Sequence, residues 1–187
     1  MSSQEQETRN IKICLVGDLD VGKASLMRRF IDNVFDPTQR PTIGVGFAVR
    51  PLDIEGERIA AQIFTRPSSG RFLLGSFYYN AWSICLVYDI SKRRSFSSIE
   101  STWLREVAEN MPGSDRESPI PVRLYLIGNK SDREAQREVS TEEGAELAAR
   151  CNMIFTETSA LDGSGVEDFF MTLFTQICRD ASPESTS

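Results

Sequence analysis

Residues 11–32 read IKICLVGDLDVGKASLMRRFID, and this stretch decides which fold the chain can adopt. Ile11–Val16 is a nearly continuous apolar run, as expected of a strand that is covered on both faces of a sheet. The run ends at Gly17, and after a second glycine at position 22 a helical stretch extends over Ser25–Asp32. A buried strand joined to a helix by a glycine-containing turn predicts an α/β domain built on a mostly parallel sheet.

The rest of the chain repeats this alternation of strands and helices. Ser83–Ile90 and Val122–Ile127 are two further apolar runs that predict buried strands. Two sets of apolar residues recur at helical spacing and predict helices. The first set is Phe96, Ile99, Trp103 and Val107, and the second is Val166, Phe169, Phe170, Leu173 and Ile177. Ser140 with Glu143, and Ser164 with Glu167, have the spacing of capping boxes and predict helix starts.

One hairpin is expected to interrupt the alternation, because Phe47–Leu52 and Arg58–Phe64 flank a turn at Glu55-Gly56. The predicted fold is therefore a doubly wound, mostly parallel sheet of six strands with helices on both faces. In such a fold the ligand binds at the carboxyl ends of the strands.

Length and composition limit the number of domains and exclude several classes of function. The 187 residues suffice for one domain, expected over residues 11–180, with flexible tails at 1–10 and 181–187. A formal charge of −6 argues against a general nucleic-acid binder. The lack of histidine excludes histidine-dependent catalytic triads and imidazole metal sites. Four widely spaced cysteines predict reduced thiols of an intracellular protein, and no apolar run is long enough to span a membrane.

Residues 17–23 have the glycine and lysine spacing of a phosphate-binding loop, G-x-x-x-x-G-K. Backbone N–H groups of such a turn point at phosphate oxygens, and the lysine adds a positive charge. The residues expected to bind phosphate are Gly17, Asp20, Val21, Gly22, Lys23, Ala24 and Ser25. Because Ala24 stands where the motif normally has serine or threonine, an ordinary glycine turn with an incidental lysine stays an alternative.

Two further segments close predicted strands and carry polar groups suited to a nucleobase. They are Gly128-Asn129-Lys130-Ser131-Asp132 and Glu157-Thr158-Ser159-Ala160. With the phosphate loop ahead of them, these segments resemble the Ras superfamily of small GTPases, in which N-K-x-D reads guanine. The resemblance implies GTP and GDP as ligands, with a domain fold and a pocket of the kind predicted above.

The same resemblance implies roles for individual residues of the base pocket. Asp132 would accept hydrogen bonds from the base, and Asn129 and Lys130 would support the pocket. Ala160 would offer a backbone N–H to the guanine oxygen, with Ser159 and Leu161 beside it. One carboxylate that accepts two donors from guanine selects strongly against adenine. A P-loop kinase or ATPase is therefore disfavoured.

Within the superfamily, roughly residues 11–179 are similar to the Rab proteins. Residues 41–47 read PTIGVGF and resemble the Rab pattern T-I-G-V-D-F of the first switch segment. The stretches 87–91, 103–106 and 137–149 also resemble Rab sequences. The resemblance implies that Phe35 packs against the guanine and that the Thr42 hydroxyl binds Mg²⁺ in the GTP state.

The second switch segment departs from the Rab pattern W-D-T-A-G-Q-E-R-F. Counted from the first switch without a gap, residues 64–72 read FTRPSSGRF, and the register beyond Phe72 stays open. Thr65 replaces the aspartate that fixes waters of Mg²⁺. Ser68 replaces the glycine that senses the terminal phosphate, and Ser69 replaces the glutamine that orients the attacking water.

Three more departures lie outside that segment. Ala24 lacks the hydroxyl that binds the metal, Leu19 would crowd the attacking water, and Gly46 replaces an aspartate on the effector side. Catalytic residues act as a unit, so we assign none in this chain and expect GTP hydrolysis to be very slow or absent. We also expect Mg²⁺ to be held weakly. The alternative is that waters or neighbouring side chains replace each lost group.

Two functional hypotheses remain open from the sequence. The protein is a Rab-like switch, regulatory or related to membrane traffic, or it is a pseudo-GTPase module that binds partners whatever nucleotide it carries. Both imply a monomer that binds effector or scaffold proteins through the switch surface. An apolar cluster beside the second switch could serve either hypothesis. It comprises Phe72, Leu73, Leu74, Phe77, Tyr78 and Tyr79.

The expected location is cytoplasmic, with membrane contact only through partners. Cys178 lies in a predicted helix and fits no prenylation box, and Ser2 stands where N-myristoylation needs glycine. Either the protein has no lipid anchor, or a lipidated C-terminus has been removed from this chain.

Overall fold

A single six-stranded sheet forms the centre of the computed structural model, which describes residues 8–38, 44–67, 74–111 and 120–182. The strands are β1 Arg9–Val16, β2 Gly46–Ile54, β3 Glu57–Thr65, β4 Ala81–Asp89, β5 Arg123–Asn129 and β6 Ile154–Thr158. Their order across the sheet is β2-β3-β1-β4-β5-β6. β2 is antiparallel to β3, and the other neighbouring strands are parallel. This arrangement confirms the predicted mostly parallel sheet.

Helices cover both faces of the sheet. They are α1 Lys23–Asp32, α2 Leu74–Tyr78, α3 Arg93–Ser98, α4 Leu104–Asn110, α5 Thr141–Arg150 and α6 Val166–Asp180. A π-helical turn, Ile99–Trp103, joins α3 to α4, and a 3₁₀ segment, Ser131–Gln136, follows β5. Ile13 and Leu15 of β1 pack in one core with α1 and α6, whereas Cys14 and Val16 pack in a second core with α4 and α5.

The apolar patterns of the sequence correspond to these two cores. Both predicted helical stripes face the sheet, and all their members are buried except Phe96, which packs at the margin of the second core. β4 is buried along its whole length, as its continuous apolar run predicts. Cys14, Cys85 and Cys178 are buried, and all four cysteines are free thiols. Cys178 is therefore a core residue of α6.

The predicted hairpin is confirmed, with longer strands than the sequence suggested. β2 and β3 are joined by Glu55 and Gly56, whose φ angles are 51° and 87°. Two consecutive positive φ angles give the turn that matches the twist of a two-residue hairpin. The pairing runs back to Gly46, which lies opposite Thr65. The hairpin thus brings the ends of the two switch segments together.

The structure corrects one predicted helix start and confirms another. Ser140 and Glu143 form the expected capping box at α5. At α6, however, the N-cap is Gly165, with a φ of 69° and no side-chain cap, so Ser164 does not cap the helix. The Ser164 N–H instead donates to Asp162, and its carbonyl accepts from Ser159. The turn needs glycine at 165, where a Cβ would lie 2.7 Å from a backbone oxygen.

Two further expectations near the chain ends and the second switch need adjustment. β1 begins at Arg9, so the last two residues of the expected tail 1–10 belong to the sheet, where Arg9 forms an ion pair with Glu57. In the predicted apolar cluster, Phe77 and Tyr78 are buried and Tyr79 is exposed. Phe72 and Leu73 lie outside the described residues.

No helix within the described ranges is both long enough and apolar enough to cross a membrane.

Candidate functional site

A cavity of about 470 Å³ lies where β1, β3, β5 and β6 end, at the first turn of α1. This is the position predicted for the ligand of a doubly wound sheet. The predicted site residues that line it are Asp20, Gly22, Lys23, Ala24, Ser25, Phe35, Asn129, Lys130, Asp132, Ala160 and Leu161. Gly17, Val21 and Ser159 do not line the cavity, but each forms a hydrogen bond with a residue that does. Thr42 lies outside the described residues.

Two glycines shape the loop between β1 and α1 because the backbone passes too close to its neighbours for a side chain. A Cβ on Gly17 would lie 2.2 Å from the Val87 carbonyl oxygen, and one on Gly22 would lie 2.3 Å from Asn129 Nδ2. Their φ angles are 143° and 96°. The loop can therefore wrap tightly against β4 and β5 only with glycine at both positions.

Lys23 crosses the loop from the start of α1. Its Nζ donates to the carbonyl oxygens of Gly17 and Asp18, each at 2.7 Å. Burial lowers the pKa of Lys23 to about 8, opposed by the nearby Asp18 carboxylate, and the Arg66 charge lowers it further. The ammonium is thus held at the phosphate end of the cavity with little solvent around it.

Asn129 ties the phosphate loop to the base end of the cavity. Its Nδ2 donates to the Val21 carbonyl at 2.8 Å, and its Oδ1 accepts from Thr158 Oγ1 at 3.2 Å. The Ala160 N–H, which the family resemblance assigns to guanine, donates to the same Oδ1 at 3.3 Å. A bond of that length is weak, so the N–H can share a second acceptor.

Lys130 and Asp132 complete this end of the cavity. Lys130 Nζ donates to the Asp20 carbonyl at 2.6 Å and pairs with the buried Asp89 carboxylate at 2.9 Å. Asp132 accepts from Ser159 Oγ at 2.6 Å through its Oδ1. This hydrogen bond orients the carboxylate at the cavity wall, which explains why Ser159 matters without lining the cavity.

The loop after β6 is fastened to α1 by a residue that the sequence reasoning missed. Arg29 donates from Nε to the Ala160 carbonyl at 2.9 Å and from Nη2 to the Leu161 carbonyl at 2.7 Å. Its position on α1 gave no motif signal. Leu161 itself is half exposed at the cavity mouth, and Phe35 is partly buried against the α1–α6 core.

Five other lining residues were also not predicted as ligands. They are Asp36, Pro37, Thr65, Arg66 and Pro67, and they are joined by Leu19 and Arg133 at the cavity edge. Thr65 and Leu19 drew attention only as departures from the Rab pattern. The remaining residues line the cavity because of the path that the chain takes in the folded protein. No local sequence motif predicts that path.

At the second switch, Thr65 closes the hairpin against Gly46. Thr65 is buried, and its Oγ1 has no hydrogen-bond partner in the part of the chain that the structure describes. A Cβ on Gly46 would lie 2.3 Å from this oxygen. The two positions are therefore sterically coupled, and the glycine that replaces the Rab aspartate leaves the space that the threonine occupies.

Comparison with known protein families identifies the family of this chain. A model of the Ras family matches residues 12–179, which is nearly the whole chain. The chain belongs to the Ras family.

Within the Ras family, this chain is similar to Rab proteins over most of their length. It is 42% identical to Ras-related protein RABA5a of Arabidopsis thaliana over 168 residues, which cover 89% of this chain and 72% of that protein. It is 40% identical to Ras-related protein Rab-11A of Dictyostelium discoideum, and 36% identical to GTP-binding protein ypt3 of Schizosaccharomyces pombe. Both alignments span 187 residues, 99% of this chain and 84% of the relative. This Ras-family chain is thus a Rab-like small GTPase.

The residues of the cavity fit a guanine nucleotide. The Asp132 carboxylate and the Ala160 N–H would serve as acceptor and donor for the base, and the loop with Lys23 would present backbone N–H groups and a cation to phosphate. The volume of about 470 Å³ is within the range of small-molecule sites.

The described residues fit a Ras-family Mg²⁺ site less well than they fit a guanine nucleotide. Mg²⁺ prefers six oxygen ligands in octahedral geometry and is usually held by carboxylates, phosphates and waters. Ala24 has no side-chain oxygen, and Thr65 offers a neutral hydroxyl. Thr42, the residue expected to bind the metal, lies outside the described residues.

Proposed function

We propose that this protein is a guanine-nucleotide switch of Rab type that regulates a step of membrane traffic and hydrolyses GTP very slowly or not at all. The observation that carries the proposal is the intact base end beside a degenerate hydrolytic end. Asn129 and Asp132 are held by hydrogen bonds at the cavity, whereas Ala24, Thr65 and Leu19 occupy positions where the family has metal ligands or a small residue.

Slow hydrolysis is supported by the position of Leu19. Its side chain is 55% exposed and borders both the nucleotide cavity and the adjoining cavity towards α3. A branched side chain at this position of the phosphate loop would crowd an attacking water or an arginine from a GTPase-activating protein. Ser68 and Ser69, which replace the phosphate-sensing glycine and the water-orienting glutamine, lie outside the described residues.

The surface between the two switches supports partner binding. Phe47 is 53% exposed and packs against Phe64 with ring centroids 4.6 Å apart, and Tyr79 is exposed. Aromatic side chains are enriched at protein–protein interfaces. Effector or scaffold proteins would bind here.

The experiment that tests the proposal is identification of the bound nucleotide, followed by competition. Protein purified from cells is denatured, and the released nucleotide is separated by chromatography. Labelled GDP is then displaced from reloaded protein by unlabelled GDP, GTP or ATP. We expect GDP or GTP to be released, and ATP to compete at least about 10⁴-fold less well, because a site built around specific hydrogen bonds rejects analogues that cannot form them.

The outcome also separates the alternative function. Equal displacement by ATP and GTP contradicts guanine selectivity. If the protein carries no nucleotide and binds no labelled GDP, it is a pseudo-GTPase interaction module and the switch proposal is wrong.

A further inference from the structure

Arg66, the first residue after β3, is fixed beside the phosphate loop. Its backbone N–H donates to the carbonyl of Leu15, next to the end of β1, at 3.1 Å. Its side chain is 12% exposed and lines the same cavity as Lys23 and Ala24. It also borders a second cavity of about 680 Å³, between the phosphate loop and α3–α4. A guanidinium therefore stands at the phosphate end of the nucleotide site.

The contacts of this guanidinium use only part of its hydrogen-bonding capacity. Nη1 pairs with Glu106 Oε2 at 3.0 Å, and Cζ lies 5.1 Å from the centre of the Trp103 ring. Nε is buried and has no hydrogen-bond partner among the described atoms. Because a guanidinium carries five N–H donors and cannot lose its charge, Arg66 retains donors for a further acceptor.

Each of the two cations at the phosphate end of the cavity has a carboxylate nearby: Glu106 pairs with Arg66 at 3.0 Å, and Asp18 lies close enough to Lys23 to raise its pKa. Asp18 belongs to the phosphate loop, and its carboxylate accepts from Trp103 Nε1 at 2.8 Å and from Ser98 Oγ at 2.9 Å. Among the carboxylates that line the cavity, Asp20 pairs with Lys92 at 2.7 Å, and Asp36 and Asp132 accept from hydroxyl groups of Thr38 and Ser159. Burial is the main cause of the lowered pKa of Lys23; the Asp18 carboxylate raises this pKa, and the Arg66 charge lowers it by less.

We propose that the Arg66 guanidinium binds the phosphates of the guanine nucleotide and supplies positive charge that Mg²⁺ supplies elsewhere in the family. Ala24 lacks the hydroxyl that binds the metal in the family, and Thr65 replaces the aspartate that fixes its waters. The guanidinium belongs to the residue that follows Thr65. The planar fork of arginine matches phosphate oxygens, and such charge-assisted bonds are stronger than neutral ones. Glu106 holds the guanidinium in competition with phosphate. This inference rests on the proposed function, namely guanine-nucleotide binding.

The test compares affinities for GDP and for guanosine in buffer with excess EDTA. The full chain, Arg66→Gln and Glu106→Gln are measured by titration calorimetry or by displacement of labelled GDP. Both substitutions break the same ion pair, but only the first removes the cation. A glutamine at 106 can still accept from Tyr78 Oη, which lies 2.6 Å from Glu106 Oε1.

We expect Arg66→Gln to weaken GDP binding roughly ten- to hundredfold, the range of a lost hydrogen bond to a charged group, and to leave guanosine binding unchanged. Arg66→Lys, which keeps the charge without the fork, should recover part of the loss. Glu106→Gln should bind GDP as tightly as the unaltered chain or more tightly, because the competing carboxylate is gone.

Three results would overturn the inference. They are unchanged GDP affinity in Arg66→Gln, an equal loss for GDP and guanosine, and a weaker GDP affinity in Glu106→Gln. If Arg66→Gln does not fold, judged by circular dichroism, Glu106→Gln decides alone: tighter GDP binding than in the unaltered chain supports the inference, and unchanged or weaker binding overturns it. Failure of the unaltered chain to bind GDP would instead reject the proposed function, so the two failures are distinguishable.

Discussion

At the level of single residues, Lys23 should make nucleotide affinity depend on pH. Burial lowers the pKa of its ammonium to about 8, so the lysine is charged below that pH and loses its proton above it. Phosphate binds the charged form. GDP affinity should therefore be flat below pH 8 and fall as the pH rises further, by at most about tenfold per pH unit. Titration calorimetry between pH 6.5 and 9 measures this.

The matched control is Lys23→Arg, whose guanidinium stays charged throughout that range. Titration of the nucleotide is common to both proteins and cancels in their comparison. A pH profile of the unaltered chain that coincides with that of Lys23→Arg would show that the lysine does not titrate in this window.

Asp132 should determine which base is bound. Substitution Asp132→Asn keeps the size of the side chain and the hydrogen bond from Ser159, but replaces one acceptor by an amide donor. Guanine presents two donors there, so GDP affinity should fall by roughly a hundredfold or more. Xanthine presents a carbonyl in place of the exocyclic amine, so xanthosine diphosphate should bind the variant more tightly than GDP does. A variant that still prefers GDP contradicts the role assigned to Asp132.

Lys23 and Asp132 could be predicted from the sequence because each belongs to a motif that is recognised by the spacing of its residues. Arg29 and Asp36 had no such signal, since their approach to the cavity depends on how α1 and the chain after it pack. Val21 was predicted among the phosphate ligands, yet its described contribution is a backbone carbonyl that holds Asn129. Thr42 stays a prediction, because it lies outside the described residues.

At the level of elements, the β2–β3 pairing depends on the contact between Gly46 and Thr65. A Cβ on Gly46 would lie 2.3 Å from Thr65 Oγ1, and both residues sit in a paired register. Gly46→Ala should therefore lower the free energy of unfolding by about 1–3 kcal/mol, the usual cost of overpacking. Urea denaturation followed by circular dichroism measures the change.

A second substitution tests the cause of that loss. Thr65→Ala removes the oxygen, whose hydroxyl has no partner among the described residues, and should restore most of the stability of Gly46→Ala. The double-mutant cycle should give a coupling free energy of about 1 kcal/mol or more. Additive effects of the two substitutions would show that the hairpin relaxes without this contact.

The elements themselves were largely predictable, and the errors have a physical cause. The two sets of apolar helix residues and the hairpin could be predicted because residues buried on one face of a helix or strand recur at the period of that element. Ser164 with Glu167 has the letters of a capping box, but the turn before α6 is fixed by a close approach of Gly165 to β6. That approach is a tertiary contact. The start of β1 at Arg9 likewise depends on pairing with β3, which the polar residues at 9 and 10 do not reveal.

At the level of the whole molecule, GTP hydrolysis should be slower than in ordinary members of the family. They turn over GTP at about 10⁻⁴ s⁻¹ without an activating protein. Leu19 at the cavity edge and Ser69 in place of the glutamine should bring the rate below that value. Phosphate release in a single turnover measures it. The double reversion Leu19→Gly with Ser69→Gln should raise the rate, and a typical family rate in the unaltered chain would refute the expected loss.

The GDP and GTP states should also differ less than in an ordinary switch. In the family, the metal and the terminal phosphate together order the switch segments. With Ala24 and Thr65 as poor metal ligands, the pull on these segments should be weak. Reversion of both positions, Ala24→Ser with Thr65→Asp, should restore the dependence of nucleotide binding on Mg²⁺. If it does not, the altered second switch is the cause rather than the missing ligands.

The dissociation rate of labelled GDP, measured with Mg²⁺ and with excess EDTA, tests the central claim most directly. The claim is that this chain keeps guanine-nucleotide binding while its metal site has decayed. We predict that GDP stays bound in both buffers and that its dissociation rate changes by no more than about threefold, because the ion contributes little to a site with so few oxygen ligands. An acceleration of a hundredfold or more in EDTA would contradict the account, since it would require a firmly held Mg²⁺.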